Sequence, residues 1–341
     1  MSHPLPVMFI HGFNGDPGDW TDSGFRQYLQ TQGGLDADLV RLFRYGVAED
    51  GTYNNRGDLR QIASRLAGAG LEEKELLTSS VDRLSQDSVA RGGPAQVTLI
   101  AHSLGGIISR YYLSRRSPDQ FGTIYRGNVG RLITIGSPHQ GVDLLRLTKL
   151  VPPGSLGWRF IRLLERLGLA PALPASAVEQ WEATLEREQA EARSRMASIP
   201  EVTGAQERVL LTETPIYQQL APDSPLLAEL NASGTMPQGV VCHCFYGDIR
   251  VAVHVRAGGL TLLDETVSFG DFAVPVHSAR EIPGASSTPH PYVTEQRIEL
   301  SIRGAPPPVE RSLNPALPET AHANLLSNGA VHNATLSLLN E

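Results

Sequence analysis

A short apolar run that ends at a serine constrains the fold of this 341-residue chain more than any other feature. The run extends from Val97 to Gly106 with the sequence Val-Thr-Leu-Ile-Ala-His-Ser-Leu-Gly-Gly. Its first residues predict a buried strand and the apolar residues after it recur at helical spacing, so Ser103 lies where a strand becomes a helix. So sharp a turn requires small residues two positions before and after the serine, here Ala101 and Gly105. The pattern predicts a hydroxyl that is lifted out of a sheet.

This stretch resembles the nucleophile elbow of the α/β-hydrolases, and its Ala-x-Ser-x-Gly form is similar to that of small bacterial lipases. The resemblance implies that Ser103 is a catalytic nucleophile. A tight turn that carries a solvated serine is the alternative. The resemblance extends over residues 5–141 and 210–340.

A glycine-rich loop, His11-Gly-Phe-Asn-Gly15, follows the first predicted strand, Val7–Ile10. Such a loop exposes backbone N–H groups near the carboxyl edge of a parallel sheet, where ligands of these folds bind. The loop resembles the His-Gly oxyanion loop of lipases and esterases. The resemblance implies that the N–H groups of Phe13 and Leu104 bind the oxyanion of a tetrahedral intermediate. An ordinary turn between a strand and a helix is the alternative.

Predicted strands and helices alternate through most of the chain. Further strands are predicted within 38–45 and over 132–135, 240–246 and 292–302, with an additional hairpin at 249–255 and 260–263. Amphipathic segments between several of these strands predict helices, the first of which begins at Asp58. This alternation predicts an α/β fold with a doubly wound, mostly parallel sheet, which is also the α/β-hydrolase fold that the resemblance implies.

The alternation stops between residues 142 and 236. Two amphipathic helices are predicted there, one over 156–169 and one that begins with a capping box at Ser176. Lipase-like hydrolases carry a lid at this point, so the resemblance implies that 142–236 is a helical lid or cap inserted into a hydrolase core of residues 1–141 and 237–341. A static cap or an oligomer contact is the alternative.

A second segment carries a candidate catalytic acid. Residues 270–279, Gly-Asp-Phe-Ala-Val-Pro-Val-His-Ser-Ala, resemble the segment that carries the catalytic acid in lipase-like hydrolases. The resemblance implies that Asp271 is the acid. Asp248, which directly follows a predicted strand, and Asp264 are the alternatives.

A histidine at position 322 lies in a predicted loop just before the last predicted helix, where the α/β-hydrolase fold places its base. A serine hydroxyl needs a neutral imidazole to accept its proton, and that imidazole needs an acceptor that fixes its tautomer. Ser103, Asp271 and His322 occur in the order Ser, acid, His that is typical of this fold. We therefore predict that these three residues form the catalytic set.

Other histidines have less suitable positions. His332 falls in the last predicted helix, and His277 is too close in sequence to Asp271 to reach the nucleophile easily. His139 follows a predicted strand and is expected to border the pocket, whereas His102 is expected to pack beneath the elbow.

Composition limits the remaining possibilities. A net charge of −7 argues against a general attraction to nucleic acid or to anionic membranes. Cys242 and Cys244 lie in one predicted strand, too far apart for an unstrained disulfide, and are predicted to be free thiols.

We predict no cofactor and no metal, since no second aspartate near His322 supports a calcium site. No apolar run approaches the length of about 20 residues that a membrane span needs, and no leader pattern is evident, so we expect a cytoplasmic location.

Together these features predict a serine carboxylic-ester hydrolase, a lipase or esterase that cleaves apolar acyl esters through an acyl-enzyme. A phospholipase or acyltransferase acting on membrane lipid is the second hypothesis, because arginines accompany the apolar face of the 156–169 helix. In that case the lid would contact a lipid interface transiently. A non-catalytic binding protein on a hydrolase scaffold is the third hypothesis.

Overall fold

The computed structural model describes residues 5–13, 15–45, 57–71, 79–142, 198–200, 208–210, 214–257, 260–302 and 318–341. The strands are β1 (Val7–Ile10), β2 (Val40–Leu42), β3 (Val97–His102), β4 (Val129–Ile135), β5 (Ser198–Pro200), β6 (Arg208–Leu210), β7 (Val241–Ala257), β8 (Leu260–Ser268) and β9 (Ser287–Ile302). The α-helices are α1 (Asp19–Asp22), α2 (Phe25–Gly33), α3 (Leu59–Leu66), α4 (Val81–Ala90), α5 (Leu104–Ser114), α6 (Pro215–Leu220), α7 (Pro225–Leu230), α8 (Val276–Ala279) and α9 (Gly329–Leu339).

One mostly parallel sheet organises the described residues. It has seven strands in the order β2-β1-β3-β4-β7-β8, with β9 paired to β7, while β5 and β6 form a separate antiparallel pair. Neighbouring strands of the large sheet are parallel, except that β8 returns antiparallel along β7. The predicted fold class is therefore confirmed.

Helices cover both faces of the sheet, because successive side chains of a strand point to opposite sides. Met8 and Leu99 pack in a core cluster with residues of α3, α4 and α5, whereas Val7 and Ile100 pack in a second cluster with residues of α1, α2 and α9. Burial of this apolar surface on two sides is the main source of stability for such a sheet.

The predicted insertion is described only in part. Helices α6 and α7, which fall within 142–236, contribute buried leucines to the same core cluster as α5. Arg110 of α5 is completely buried and donates to the backbone oxygens of His139 and Leu230, at 2.9 and 2.8 Å. These contacts join the end of α7 to the centre of α5. The two amphipathic helices predicted over 156–169 and after Ser176 lie outside the described residues, so the lid stays a prediction.

Strand β7 is longer than the sequence predicts. We expected a strand that ends at Tyr246 and a separate hairpin after it, but β7 continues through Gly247 to Ala257 and pairs there with both β8 and β9. Gly247 does not form a turn. It lies where the backbone of Thr320 passes close to β7, because a Cβ at this position would lie 1.9 Å from the backbone oxygen of Thr320. A glycine inside a strand is often found where another backbone comes this close.

The two cysteines lie in β7 as buried free thiols, as the sequence predicts. Burial raises the pKa of Cys242 to about 12, so this thiol is protonated at neutral pH. Among the helices of the described ranges, none combines the length and the apolar character needed to cross a membrane. The same ranges contain no group of three His, Cys, Asp or Glu residues that would hold a metal ion.

Candidate active site

Ser103 lies between β3 and α5 in a backbone conformation that is unusual for a residue with a side chain. Its φ is 52° and its ψ is −121°, and its N–H donates to the backbone oxygen of Ile135 at 2.9 Å. Positive φ is costly outside glycine and persists only where the surrounding structure enforces it. The strand, sharp turn and helix that the sequence predicts around Ser103 are all present.

The glycines near Ser103 allow three backbone segments to meet. A Cβ at Gly105 would lie 2.4 Å from the backbone oxygen of Ile10, so α5 begins directly against the end of β1. A Cβ at Gly12 would lie 2.9 Å from Ser103 Cβ and 3.1 Å from His102 Nδ1. The loop after β1 therefore packs against the elbow, and it leaves no room there for a side chain.

The predicted oxyanion donors belong to these two segments. Leu104 is the first residue of α5, and the first N–H groups of a helix have no partner within the helix. Phe13 follows Gly12 in the loop that touches the elbow and packs against the larger core cluster. The structure thus brings together the segments that carry both N–H groups, and their binding of an oxyanion stays a prediction.

Asp271 is buried in the turn between β8 and α8, and its two carboxylate oxygens have different partners. Oδ1 accepts from the N–H groups of Ala273 and Val274 at 3.0 and 2.6 Å, and Oδ2 lies 2.7 Å from His322 Nδ1. Phe272 within this turn has a φ of 73°. Because a carboxylate oxygen accepts, the proton of the His322 ring lies on Nδ1 and leaves Nε2 as the basic nitrogen.

His322 is positioned through its backbone as well as through its ring. Its N–H donates to the backbone oxygen of Asp271 at 2.9 Å, and its own backbone oxygen lies 3.3 Å from His102 Nε2. The rings of His102 and His322 are 4.7 Å apart. In the described part of the chain no hydrogen bond joins the Ser103 hydroxyl to the His322 ring, whose Nδ1 is held by Asp271.

Gly136 places the pair of Asp271 and His322 beside the elbow. It directly follows Ile135, the residue that accepts from the Ser103 N–H. A Cβ at Gly136 would lie 2.9 Å from Asp271 Oδ2 and 3.0 Å from His322 Nδ1. The loop after β4 therefore lies between the Ser103 backbone on one side and the side chains of Asp271 and His322 on the other.

If Asp271 and His322 act as the sequence predicts, substituting Gly136 with alanine should lower kcat for ester hydrolysis by at least about tenfold, because the methyl group would push both side chains out of position. The φ of Gly136 is 58°, so alanine also introduces backbone strain there. Gly127→Ala is the matched control, because Gly127 has a φ of 78° and nothing within 4 Å of its Cβ position. Equal kcat values for the two variants would contradict the steric argument.

The alternative acids have other partners. Asp248 is buried and accepts from Arg250 Nε at 2.6 Å and from the Ser268 hydroxyl. Asp264 is mostly exposed and pairs with His254 Nδ1 at 2.8 Å. Of the three candidate aspartates, Asp271 is the one that the structure brings to His322.

The alternative bases also lie elsewhere. His277 is exposed on α8. His332 is buried in α9, with Nε2 2.6 Å from the backbone oxygen of Leu326. His139 is completely buried, with Nε2 3.0 Å from Thr134 Oγ1.

Sequence reasoning missed two glycines that shape the site. Neither Gly136 nor Gly247 is among the site residues that the sequence predicts. A Cβ at Gly247 would meet the Thr320 backbone and lie 3.0 Å from Asp271 Cβ, so this glycine lets Asp271 and the loop before His322 come together. The available signal was a glycine inside an otherwise apolar strand pattern.

Three histidines near the elbow are buried in a neutral state. Burial lowers the pKa of His11 to about 4 and holds the pKa values of His102 and His139 well below their ordinary value. The His11 ring is also stacked on the Tyr45 ring at 4.0 Å.

The free energy of unfolding is expected to decrease as the pH falls from 7 to 5. The unfolded chain protonates these histidines below its ordinary pKa of about 6.5, whereas the folded chain does not, so protons favour the unfolded state in this range. His11→Phe keeps a ring against Tyr45 and should reduce the decrease, whereas substitution of the exposed His277 by Gln should not. Urea unfolding at several pH values measures this, and identical pH dependence in all three proteins would contradict the prediction.

The sheet and the elbow together define the class of fold, which is the α/β-hydrolase fold. Residues 3–149 match the family model described as the PGAP1-like alpha/beta domain. No curated protein sequence matches the chain.

Several solved structures of bacterial lipases and esterases are similar to the chain at low sequence identity. Lipase 1 from Pelosinus fermentans is 11% identical, with 100% of this chain and 99% of that chain covered and a TM-score of 0.46. EstA from Clostridium botulinum is 12% identical, with 99% and 87% covered and a TM-score of 0.44. Phospholipase PlaB from Legionella pneumophila is 14% identical with a TM-score of 0.36, and the match covers 79% of this chain and 50% of that chain.

Proposed function

We propose that this α/β-hydrolase is a serine carboxylic-ester hydrolase, a lipase or esterase that cleaves apolar acyl esters. The observation that carries the proposal is the 2.7 Å contact between the buried Asp271 carboxylate and His322 Nδ1. This pair packs against Gly136, one residue from the carbonyl that holds the Ser103 backbone. A buried carboxylate that orients a histidine next to a strained serine is the arrangement that acyl transfer requires.

In the proposed reaction, His322 acts twice. Its Nε2 accepts the proton of the Ser103 hydroxyl as the serine oxygen attacks the ester carbonyl, and it then returns that proton to the departing alcohol. The resulting acyl-enzyme is hydrolysed by a water molecule that His322 activates in the same way. Asp271 keeps the proton of the neutral ring on Nδ1 and stabilises the imidazolium that forms in each step.

The proposed oxyanion donors are the N–H groups of Phe13 and Leu104. The negative charge that develops on the carbonyl oxygen needs fixed donors, and the removal of one such donor typically lowers kcat by about 10²–10³-fold. The packing of the Gly12 loop against the elbow supports this assignment, because it brings both donor segments to the same serine.

The proposal is tested with p-nitrophenyl esters of increasing acyl length and with a fluorophosphonate probe that labels nucleophilic serines. We expect hydrolysis of apolar acyl esters and labelling that requires Ser103. Release of fatty acid from phosphatidylcholine vesicles without hydrolysis of the simple esters would instead identify a phospholipase, and transfer to an added alcohol would identify an acyltransferase. Absence of both turnover and labelling would indicate a binding protein on a hydrolase scaffold.

A further inference from the structure

His102, the residue directly before the nucleophile, contacts the segments that carry the other parts of the site. It is the last residue of β3 and is 8% exposed. Its Nε2 lies 3.3 Å from the backbone oxygen of His322, which is 220 residues away in the chain. Its Nδ1 lies against Gly12 of the loop after β1, 3.1 Å from the position of a Cβ there.

The contact with His322 defines the role of the ring nitrogen. A backbone carbonyl can only accept a hydrogen bond, so Nε2 of His102 must be the donor and must carry the proton. The ring of His102 is therefore a fixed donor that reaches from the elbow to the backbone of the base.

We propose that His102 is a positioning residue whose Nε2–H holds the backbone carbonyl of His322 and so fixes the base relative to the nucleophile. This inference rests on the proposed function. The backbone and ring of His322 are otherwise held by Asp271, through the N–H contact at 2.9 Å and the Nδ1 contact at 2.7 Å. Those two bonds orient the base toward the acid, whereas the bond from His102 ties the base to the elbow itself.

The elbow backbone connects this bond directly to Ser103. His102 pairs with Ile135 in the register of β3 and β4, and the N–H of Ser103 donates to the oxygen of the same Ile135. Because the two neighbouring residues share one rigid backbone, a displacement of the nucleophile also displaces the donor that holds the base. The backbone of residues 102 and 103 therefore helps to set the distance between the Ser103 hydroxyl and the His322 ring.

A histidine also supplies this hydrogen bond without a charge. The His322 ring becomes positive during the proposed reaction, and a second positive ring 4.7 Å away would oppose that charge. Burial, with the proximity of His322 as a smaller cause, holds the pKa of His102 well below its ordinary value, so His102 stays neutral. A lysine or arginine donor at this position would not have this property.

The test compares His102→Gln with His102→Asn, two buried amides that differ by one methylene. The glutamine amide extends to about the position of Nε2 and can donate to the His322 carbonyl, whereas the shorter asparagine amide extends only to about the position of Nδ1. We expect His102→Asn to lower kcat for p-nitrophenyl ester hydrolysis by about tenfold with KM unchanged, the cost of one hydrogen bond that orients a reacting group. His102→Gln should recover most of that loss.

Thermal unfolding of each variant separates positioning from simple support of the fold. Equal kcat values for His102→Gln, His102→Asn and the wild type would overturn the inference, as would equal losses of kcat in both variants that follow a loss of stability. A third variant, His102→Phe, retains the ring volume and removes the donor, so it should behave like His102→Asn.

A wild-type protein that neither hydrolyses esters nor reacts with a fluorophosphonate would overturn the proposed function itself. Normal labelling with unchanged kcat in His102→Asn would overturn this inference alone.

Discussion

Replacing Ser103 with alanine is expected to lower kcat for ester hydrolysis by at least about 10⁴-fold, because no other group in the proposed mechanism can form the acyl-enzyme. Substrate binding and the oxyanion donors would remain, so a small residual rate above the uncatalysed reaction is expected. The same variant should lose all fluorophosphonate labelling. Alanine also lacks the hydroxyl but can occupy the same backbone conformation as serine, so stability should change little.

Ser114→Ala is the control for this experiment. Ser114 lies at the end of the same helix, α5, and its hydroxyl donates to the backbone oxygen of Tyr111 at 2.8 Å, away from the elbow. Its removal should leave kcat, KM and labelling unchanged. Turnover by Ser103→Ala at a rate close to that of the wild type would remove the nucleophile from the proposal.

Replacing Asp271 with asparagine is expected to lower kcat by about 10³–10⁴-fold. An asparagine amide can donate to Nδ1 of His322, which would shift the ring proton to Nε2 and leave no lone pair there to accept the serine proton. The ring would remain in place, so KM should change far less than kcat. Steady-state kinetics at neutral pH, together with the rate of fluorophosphonate labelling, measure this effect.

Asp248→Asn is the matched control, because Asp248 is equally buried but accepts from Arg250 and Ser268. We expect this substitution to reduce stability more than kcat, since it weakens a local ion pair and leaves His322 untouched. The opposite pattern, with kcat lost in Asp248→Asn and retained in Asp271→Asn, would assign the acid to position 248.

Much of the fold could be predicted because the central strands are buried on both faces. β1, β3 and β4 appear in the sequence as compact apolar runs between turn signals, which is typical of parallel sheets. The path of β7 could not be predicted, because Gly247 suggests a turn when only local sequence is considered. Its actual partner, the Thr320 backbone, is distant in the chain, and no local pattern reports such a contact.

The candidate site likewise combines features that local sequence predicts with features that it does not. The residue types and their order, Ser103, Asp271 and His322, follow from motifs that are local in sequence. The 270–279 segment also favours Asp271 over Asp248, but the contact of its carboxylate with His322 joins residues 51 positions apart and has no local signal. The donor role of His102 was also not predicted, because its acceptor is a backbone carbonyl that carries no sequence signature.

The separation of 220 residues between His102 and His322 bears on when the protein gains activity during its synthesis. Chains leave the ribosome N-terminal end first, at about 5–20 residues per second, and contacts between distant residues form late. Ser103 and the loop after β1 are therefore translated well before His322, the proposed base. A nascent chain that has already buried its serine turn cannot yet turn over esters, so on the proposed function the reactive centre is completed only as the base segment docks.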